Sequence, residues 1–418
     1  MDDGDRFDVS VIVLRYNGDP SHLDACVASV LSDAGAGPYR VEVLLVDNAS
    51  TISPDAVEQC ARRHGEPVRA MVLDRNHGFA GGVNRGIART AGRLVLLLND
   101  DAVLEPGAIA AAVEVLDFAG PDVVAVACKM LLASDPFLLD GVGIAVNGRG
   151  EAFNRGLGQP DLGQFDLTED CLGPCFGAAL VRRSAFGDDA VGPLEESYFL
   201  YYEDVEWSWR ATVMGFRTIT APRSVVRHDM SASSRTGDYG FKHRFIEANL
   251  LASVARCFGT RRAVGIWARR WPALVKARVT GEFPRATGGA ALDAARRLPA
   301  TLRARRRIQA RRRRDDRAVI AFADGERTFF DPVRYLPERS FDALATAAER
   351  RVGRGGDSAE VKLRWAEIAR AARQAQRGEP PSGLRAAAVA LDDRLGAYVD
   401  AASDGATGST TATTHRRG

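Results

Sequence analysis

The sequence predicts an α/β fold with a doubly wound, mostly parallel sheet flanked by helices, followed by a mainly α-helical C-terminal region. Five short apolar segments rich in β-branched residues recur between residues 9 and 128, and a helical stretch separates each from the next. Segments that are apolar throughout are typical of strands buried on both faces, as in a parallel sheet. Strands that alternate with helices of this length favour the doubly wound arrangement.

The individual elements follow from the same patterns. The five strands are predicted at residues 9–14, 41–46, 68–73, 94–98 and 123–128, and the helices between them at about 21–33, 55–65, 78–91 and 106–118. Pro106 suits the first turn of the last of these helices. A Gly- and Asp-rich stretch at 135–170 predicts a hairpin and a long loop. Further strands are predicted at 176–183, 216–222 and 224–228, and further helices at 204–215, amphipathic and ended by Gly215, and at 241–258.

The length and the changing composition indicate more than one domain. A chain of 418 residues is too long for one average domain, and it becomes rich in Arg and Ala after Gly259. We predict a ligand-binding domain at 1–258, a mainly helical region at 259–400 and a tail at 401–418. The tail is poor in apolar residues, which predicts disorder.

The composition also narrows the function classes. Lys and Arg number 56 and Asp and Glu 54, so the whole chain is not typical of a polyanion binder, and we expect no nucleic-acid partner. The six cysteines lack the paired spacing of a zinc site, which favours buried free thiols in a reducing compartment. The acidic start lacks a signal-peptide pattern, and no run of 18 apolar residues occurs. These features predict a cytoplasmic protein.

An acidic segment follows the fourth predicted strand. Asn99, Asp100 and Asp101 stand directly after the apolar residues 94–98. Ligands of open α/β sheets bind beyond the carboxyl ends of the strands, where carboxylates would repel a nucleotide diphosphate unless a divalent cation lay between them. Carboxylate and phosphate oxygens together suit Mg²⁺ or Mn²⁺. A solvated turn that ends the strand is the structural alternative.

A second acidic segment marks a predicted helix start. Glu203, Asp204 and Glu206 fall within four residues and lie among aromatic side chains. These carboxylates can cap the helix and offset its dipole. The aromatic surroundings can equally tune one of them for proton abstraction. The residues alone leave both interpretations open.

Two further segments are candidates for ligand binding. His228 ends the last predicted strand, and an imidazole there can complete a metal site begun by Asp101, although a lone histidine is more often a satisfied polar residue. Glycines within residues 76–86, at the start of a predicted helix, permit a phosphate or sugar to approach backbone N–H groups. Their spacing matches neither a Walker loop nor the dinucleotide-binding pattern. Close packing of the helix is the structural alternative.

Six segments in a consistent order resemble the family-2 glycosyltransferases, which have the GT-A fold. The resemblance covers about residues 8–258 and is carried by VSVIVLRYN, VEVLLVDNAS, NHGFAGGVNRGI, LLLNDDAVLEPGAI, YFLYYEDVEWSWRATVMGFR and HDMSAS. The last segment is similar to one in rhamnosyl- and galactofuranosyltransferases. The resemblance implies that residues 1–258 form a nucleotide-sugar-binding catalytic domain, and that the chain is a metal-dependent, inverting hexosyltransferase.

The resemblance also implies roles for single residues. Asp204 would be the general base, and Asp101 and His228 would hold Mg²⁺ or Mn²⁺. The implied donor-binding residues, with Asp47 at the nucleobase, are Tyr16, Asp47, Asn76, Gly81, Asn84, Asn99 and Asp100. In the implied single displacement, Asp204 removes the proton of the acceptor hydroxyl while the cation neutralises the leaving diphosphate.

Two departures from the family pattern bear on the donor. Arg15 stands where Ser or Thr is usual, which leaves the local nucleotide contact open. Asn99 replaces the first Asp of the D-x-D segment, as is common in relatives resembling rhamnosyltransferases, whose thymidine donors lack one ribose hydroxyl. The resemblance therefore favours rhamnose from dTDP-rhamnose, with galactofuranosyl or other hexosyl transfer from a UDP-sugar as the alternative. A catalytically silent sugar-binding scaffold with the same fold is a further alternative.

The basic run at 303–317 has two interpretations. Its arginines can lie on an anionic membrane surface, which suits an acceptor glycan carried on a polyprenyl lipid and a peripheral position at the inner face of the cell membrane. The mixture of Trp and Arg at 267–279 slightly favours a membrane interface. A solvated Arg-rich helix or linker is the alternative.

Overall fold

A mixed sheet of ten strands forms the centre of the N-terminal part of the chain. The structure is a computed structural model that describes residues 7–147, 150–229, 239–280, 284–322, 339–354, 356–377 and 383–408. The described residues contain ten strands of this sheet and two of a separate hairpin, β8 and β9. In chain order they are β1 Val9–Arg15, β2 Val41–Asp47, β3 Val68–Val72, β4 Leu94–Asn99, β5 Ala102–Leu104, β6 Val123–Leu132, β7 Asp135–Val142, β8 Ile144–Val146, β9 Ala152–Asn154, β10 Asp170–Cys171, β11 Ala178–Arg182 and β12 Arg217–His228.

The strand order confirms the predicted α/β sheet. The order is β10-β12-β6-β11-β4-β1-β2-β3, with β5 paired to β12 and β7 paired to β6, while β8 and β9 form a separate hairpin. The parallel pairs are β1 with β2 and β4, β2 with β3, and β6 with β12. The antiparallel strand β11 lies between β4 and β6. The short strand β5 follows β4 in the chain and pairs with β12, so the end of β12 lies close to the end of β4.

Helices cover both faces of this sheet. They are α1 Pro20–Ala36, α2 Ala56–His64, α3 Gly78–Ile87, α4 Ala108–Phe118 and α5 Glu203–Met214, and a further helix, α6 Tyr239–Cys257, packs on α5. Val11 and Val13 of β1 pack on the face that carries α1, α2 and α4. Ile12, which points the opposite way, packs with Val83 of α3 and Trp207 of α5. This alternation follows from the two-residue period of a strand and makes both faces apolar.

The C-terminal region is helical, as predicted. Its helices are α7 Thr260–Thr280, α8 Pro284–Ala310, α9 Asp316–Ile320, α10 Phe341–Gly353, α11 Ala359–Gln376, α12 Leu384–Val389 and α13 Asp393–Gly408. Ile266 and Ile308 join α7 and α8 to the core around Trp209 of α5. The last four helices share a second core that reaches Phe137 of β7. No helix in the described ranges is long and apolar enough to cross a membrane.

Two expectations about burial are wrong. The strand β3 is not buried on both faces, because it forms the edge of the sheet and leaves Arg69, Ala70 and Val72 exposed. The helix α5 is not amphipathic, since every residue in it except Asp204 is buried. Neighbouring helices α6 and α9 cover the side of α5 that faces away from the sheet.

Three element boundaries also differ from the prediction. Pro106 precedes α4, which begins after Gly107 in a left-handed conformation with a φ of 83°. The two strands predicted at 216–228 are one strand, β12, whose pairing with β6 shifts between Ala221 and Val225. The helix α13 continues to Gly408 because Ala402 packs in the second core, so predicted disorder is wrong for 401–408. The rest of the tail lies outside the described residues.

Candidate active site

A histidine and two carboxylates meet at the ends of β4 and β12. The strand β5 pairs antiparallel with β12 and sets His228 opposite Ala102. The Nε2 atom of His228 lies 3.2 Å from Asp101 Oδ1, and Nδ1 lies 2.7 Å from Asp140 Oδ2. The Nδ2 atom of Asn99 lies 3.1 Å from the same Nε2. Asp140 was not predicted from the sequence.

Burial and the neighbouring charges shift the pKa of His228 in opposite directions. Burial disfavours the charged ring, but hydrogen bonds and charges from Asp101 and Asp140 outweigh it and raise the pKa of His228 well above its ordinary value. His228 and Asp101 are 13% and 12% exposed, so the ring and the carboxylate remain reachable from solvent. Residues 230–238, which include the rest of the HDMSAS segment, lie outside the described residues.

Asp100 points away from this pair toward the start of α1. Its carboxylate lies against Gly18, where any Cβ atom would overlap it. Burial, together with the charge of Asp101, raises the pKa of Asp100 to about 7. The Oδ2 atom of Asp100 is buried and has no hydrogen-bond partner among the described residues. The three consecutive polar residues therefore face two directions.

Asp204 lies in the first turn of α5. Its Oδ1 accepts a hydrogen bond from the backbone N–H of Val205 at 2.7 Å, and its side chain is the partly exposed one among buried neighbours. Burial raises the pKa of Asp204 to about 6. Burial and the adjacent Asp204 charge raise the pKa of Glu203 well above its ordinary value. Glu206 instead forms buried ion pairs with Arg210 and Arg256, which is a structural role.

The segment before β11 joins Asp204 to the histidine cluster. The carbonyl of Gly177 accepts a hydrogen bond from the Asn99 backbone at 3.0 Å, and the Phe176 backbone bonds the Asp204 carboxylate. Burial and the nearby charges of Asp204 and Asp140 raise the pKa of the Cys175 thiol well above its ordinary value. The structure thus places Asp204 and the histidine cluster beside the same segment, residues 175–177.

A buried ion pair occupies the predicted nucleobase position. Arg15 and Asp47 are 0% and 1% exposed, with Nη1 and Oδ2 at 3.0 Å. The backbone N–H of Ser50 bonds the other Asp47 oxygen at 2.6 Å. Both carboxylate oxygens of Asp47 are therefore engaged within the protein, whereas the neighbouring Tyr16 side chain is 50% exposed. The nucleobase contact of Asp47 stays a prediction.

The predicted donor residues of α3 also have partners inside the protein. Asn76 Oδ1 accepts hydrogen bonds from Asn48 Nδ2 and the Gly78 backbone, at 3.0 and 2.8 Å. Asn84 bonds both the N–H and the carbonyl of Leu194. A Cβ atom at Gly81 would press against His77 and the Arg85 guanidinium. These contacts fix the start of α3, and donor contacts of Asn76, Gly81 and Asn84 stay predictions.

The loop at 198–202, directly before α5, has an unusual conformation and contacts the start of α3. Three residues of the loop have positive φ values, which residues other than glycine rarely adopt. They are Phe199, Tyr201 and Tyr202, at 63°, 65° and 70°. The Phe199 carbonyl accepts a hydrogen bond from Phe79 at 2.6 Å. It lies so close to Gly78 that a side chain there would overlap it. The start of α3 and the start of α5 are therefore held together.

Asn249 of α6 holds this loop from behind. It is 0% exposed, and its Nδ2 donates to the carbonyls of Tyr198, Leu200 and Tyr201 at 3.0, 3.0 and 2.8 Å. Arg297 of α8 donates to its Oδ1 at 2.7 Å. Asn249 was not predicted from the sequence. Its one signal was an asparagine within the apolar predicted helix at 241–258.

Comparisons with known proteins identify the family. Residues 10–188 match the family model described as glycosyl transferase family 2. An N-acetylglucosaminyl-diphospho-decaprenol L-rhamnosyltransferase of Mycobacterium tuberculosis is 32% identical over 247 residues, which cover 54% of this chain and 76% of that protein. This chain belongs to glycosyl transferase family 2. The predicted transfer of a sugar from a nucleotide donor is therefore confirmed for this glycosyltransferase, and the silent-scaffold alternative has no support.

Two other proteins are similar to the glycosyltransferase. The O-antigen biosynthesis protein RfbC of Myxococcus xanthus is 26% identical over 229 residues, covering 54% of this chain and 17% of that protein. The crystal structure of GalNAc-T7 with UDP, GalNAc and Mn²⁺ matches with a TM-score of 0.50 at 15% identity, covering 64% of this chain and 51% of that chain. The glycosyltransferase thus spans about half the length of that solved protein, and the likeness confirms the GT-A fold.

Among the residues that the structure describes, two clusters have side chains that a metal can use. The first is Asp24, Cys60 and His64, but Arg63 also bonds the same Asp24 oxygen at 2.7 Å and supplies its positive charge. The second is Asp101 with His228, backed by Asp140. It combines an anionic oxygen and an imidazole, both partly exposed, at the carboxyl ends of the strands. The second cluster fits a divalent cation beside a diphosphate.

Proposed function

We propose that the glycosyltransferase transfers L-rhamnose from dTDP-rhamnose to a hydroxyl of a glycan carried on a polyprenyl diphosphate, with inversion at the anomeric carbon. The observation that carries the proposal is the 32% identity, over 76% of its length, to a rhamnosyltransferase named for a decaprenyl-diphosphate acceptor. Asn99 supports the same donor, because an amide can replace the carboxylate that binds a ribose diol when one hydroxyl is absent.

Asp204 is the general base of the proposed reaction. A carboxyl with a pKa of about 6 is largely ionised near neutral pH, yet is more basic than an ordinary aspartate. Its Oδ1 is fixed by the Val205 N–H, and the Phe176 backbone also bonds the carboxylate, so the group is held in place to accept the proton of the acceptor hydroxyl. The partial exposure of Asp204 among buried neighbours gives an acceptor access to that oxygen.

Asp101 and His228 are the proposed holders of Mg²⁺ or Mn²⁺. When bound, the cation supplies positive charge that stabilises the departing diphosphate. Asp140 accepts a hydrogen bond from Nδ1 of His228 at 2.7 Å, which fixes the ring, and a bound cation would take the place of the proton on Nε2. Asn99, beside the same Nε2, is the proposed contact to the donor's ribose.

The remaining proposed donor contacts come from Tyr16, Asp100 and the backbone at the start of α3. Tyr16 is exposed and follows Arg15, so its ring is available to stack on the nucleobase while the Arg15–Asp47 pair supports the loop from below. The backbone at the start of α3 and Asp100 complete the proposed donor pocket.

Purified protein offered a panel of nucleotide sugars tests the proposal. With Mn²⁺ and an N-acetylglucosaminyl-diphospho-polyprenol acceptor, we expect release of dTDP from dTDP-rhamnose and no comparable release from UDP-galactofuranose, UDP-galactose or UDP-N-acetylglucosamine. Preferential turnover of a UDP-sugar would replace rhamnosyl by hexosyl transfer. Proton NMR of the product, which reads the anomeric configuration, would contradict inversion if that configuration were retained.

A further inference from the structure

One surface of the helices α7 and α8 combines exposed apolar side chains. Val264 and Trp271 of α7 are 61% and 38% exposed, and Leu302 of α8 is 44% exposed. Together with Trp267 and Pro272 they line a groove of about 520 Å³. Val264, Trp267 and Trp271 are spaced at i, i+3 and i+7, so they form one stripe along α7. The rings of Trp267 and Trp271 stack at 6.0 Å.

Arginines border this stripe. A neighbouring cavity of about 1140 Å³ is lined by Arg261, Arg262, Arg269, Arg305 and Arg306, and Arg305 and Leu302 line both cavities. Arg305 also donates to the carbonyls of Ala255 and Phe258, both at 2.6 Å, so the boundary between the two cavities is fixed.

Charge is distributed very unevenly along the chain. Residues 260–320 contain 18 Lys and Arg and four Asp and Glu, whereas the net charge of the whole chain is +2. The rest of the chain is therefore acidic, and the positive charge is concentrated in α7, α8 and residues 311–314. A polarised molecule of this kind orients its basic side toward an anionic surface.

We propose that the surface formed by Val264, Trp267, Trp271, Leu302 and the bordering arginines, here called the docking surface, binds an anionic lipid bilayer. Trp beside an apolar stripe is typical of side chains placed at the level of the lipid headgroups. A helix with one apolar face and Arg on its flanks lies in the plane of the interface. A nucleic acid would use the arginines, but would gain nothing from burying Val264 and Leu302.

The inference deepens the proposed function and rests on it for its purpose, because a polyprenyl-linked acceptor is presented at a membrane. Its evidence is separate, since none of the docking-surface residues belongs to the cluster of Asp101, Asp140, Asp204 and His228. Binding to vesicles and turnover of dTDP-rhamnose can therefore fail independently of each other.

Co-sedimentation of the full chain with vesicles tests the inference. We expect binding to phosphatidylcholine vesicles that contain phosphatidylglycerol, weak binding to phosphatidylcholine alone, and a loss of binding as salt is raised. Absence of binding to the anionic vesicles would overturn the proposal. Equal binding to both vesicle types would overturn the role of the arginines.

Two variants separate charge from apolar insertion. Arg261→Glu with Arg269→Glu is expected to weaken binding to anionic vesicles by roughly tenfold or more, and Val264→Glu with Trp271→Glu to weaken it similarly. Val264→Glu alone repeats the second test with less risk to folding. Melting temperature and turnover of a soluble acceptor analogue should remain those of the wild type.

Matched controls place the same chemical changes elsewhere. Leu363→Glu alters a side chain that is 58% exposed on α11. Arg62→Glu with Arg223→Glu reverses two charges on side chains that are 67% and 77% exposed. Vesicle binding that falls equally in controls and in docking-surface variants would overturn the proposed location. Retention of a DNA duplex that depends on Arg261 and Arg269, without vesicle binding, would assign the surface to nucleic acid instead.

Discussion

Asp204 combines burial with partial access to solvent, and that combination suits a base. The Asn variant keeps the shape and the hydrogen bond from Val205 but cannot accept a proton. We expect Asp204→Asn to lower kcat by roughly 10²- to 10⁴-fold while leaving the affinity for dTDP-rhamnose nearly unchanged. Turnover and isothermal titration of the donor measure the two effects. Wild-type turnover in the variant would remove Asp204 from this role.

The pKa of Asp204 predicts a pH dependence of both rate and stability. Because the base must be ionised, kcat/KM is expected to fall as the pH drops through about 6. The pKa lies above its ordinary value of 3.8, so this carboxyl favours the folded state below that value, and the advantage is lost as the pH rises through about 6. Asp204→Asn should therefore melt no lower than the wild type in mildly alkaline buffer. A lower melting temperature would contradict this account of the pKa.

Asp140 acts at one remove from the reaction, through His228. We expect Asp140→Asn to weaken the apparent affinity for Mn²⁺ by roughly 10- to 100-fold, because the ring loses the carboxylate that orients it. Titrating Mn²⁺ in the activity assay, and by paramagnetic relaxation without donor, measures the change. Asp24→Asn is the control, since that carboxylate belongs to the cluster neutralised by Arg63. An equal effect in both variants would contradict the assignment.

At the scale of elements, the loop at 198–202 depends on a side chain from α6. Removing the amide in Asn249→Ala leaves three buried carbonyls without their donor, which costs about 1–3 kcal/mol per unsatisfied group at most. We expect a lower melting temperature together with a lower kcat, because the loop positions the first turn of α5. Donor KM should change little.

The control for this prediction is a variant that is destabilised elsewhere. Leu344→Ala opens the second core of the C-terminal helices, at a residue that is 0% exposed, and should lower the melting temperature while the folded enzyme retains its kcat. If Asn249→Ala lost stability but kept full kcat, Asn249 would be a structural residue without a positioning role.

Elements with a strong period were predictable, and those that depend on tertiary context were not. The strand ending at Asn99 and the helix beginning near Asp204 followed from apolar runs and acidic starts. The exposure of β3 depends on its place at the edge of the sheet, and the burial of α5 depends on α6, so neither is encoded in the local pattern. The strained loop at 199–202 had no sequence signal, because it contains no glycine.

At the scale of the whole molecule, the site required contacts between distant residues. Asp101 and His228 stand at predicted strand ends, whereas the role of Asp204, at a predicted helix start, came from the resemblance to the family. Asp140 is 88 residues from His228 and lies in a Gly-rich stretch, so nothing local pointed to it. The partners of Asp47 and Asn84 were equally hidden, since an implied donor contact does not reveal what else a side chain already bonds.

The C-terminal region contributes to the site as well as to the proposed docking surface. Arg297 of α8 reaches Asn249, and Asn249 reaches the loop before Asp204. A chain cut after residue 258 would therefore lack Arg297, the partner of Asn249, and the part of the covering of α5 that α9 supplies. We expect such a truncated protein to be insoluble or inactive, which expression of residues 1–258 would check. A soluble fragment with full turnover would make the region dispensable for catalysis.

The irregular pairing between Ala221 and Val225 sets which way His228 faces. Side chains of a strand alternate sides, so the loss of one residue from the irregular stretch would turn every later side chain in β12 through to the other surface of the sheet. His228 would then leave Asp101, although no functional residue had been altered. The length of this stretch thus determines which face of the sheet the later side chains of β12 occupy. Insertions or deletions there should be tolerated only when they add or remove an even number of residues.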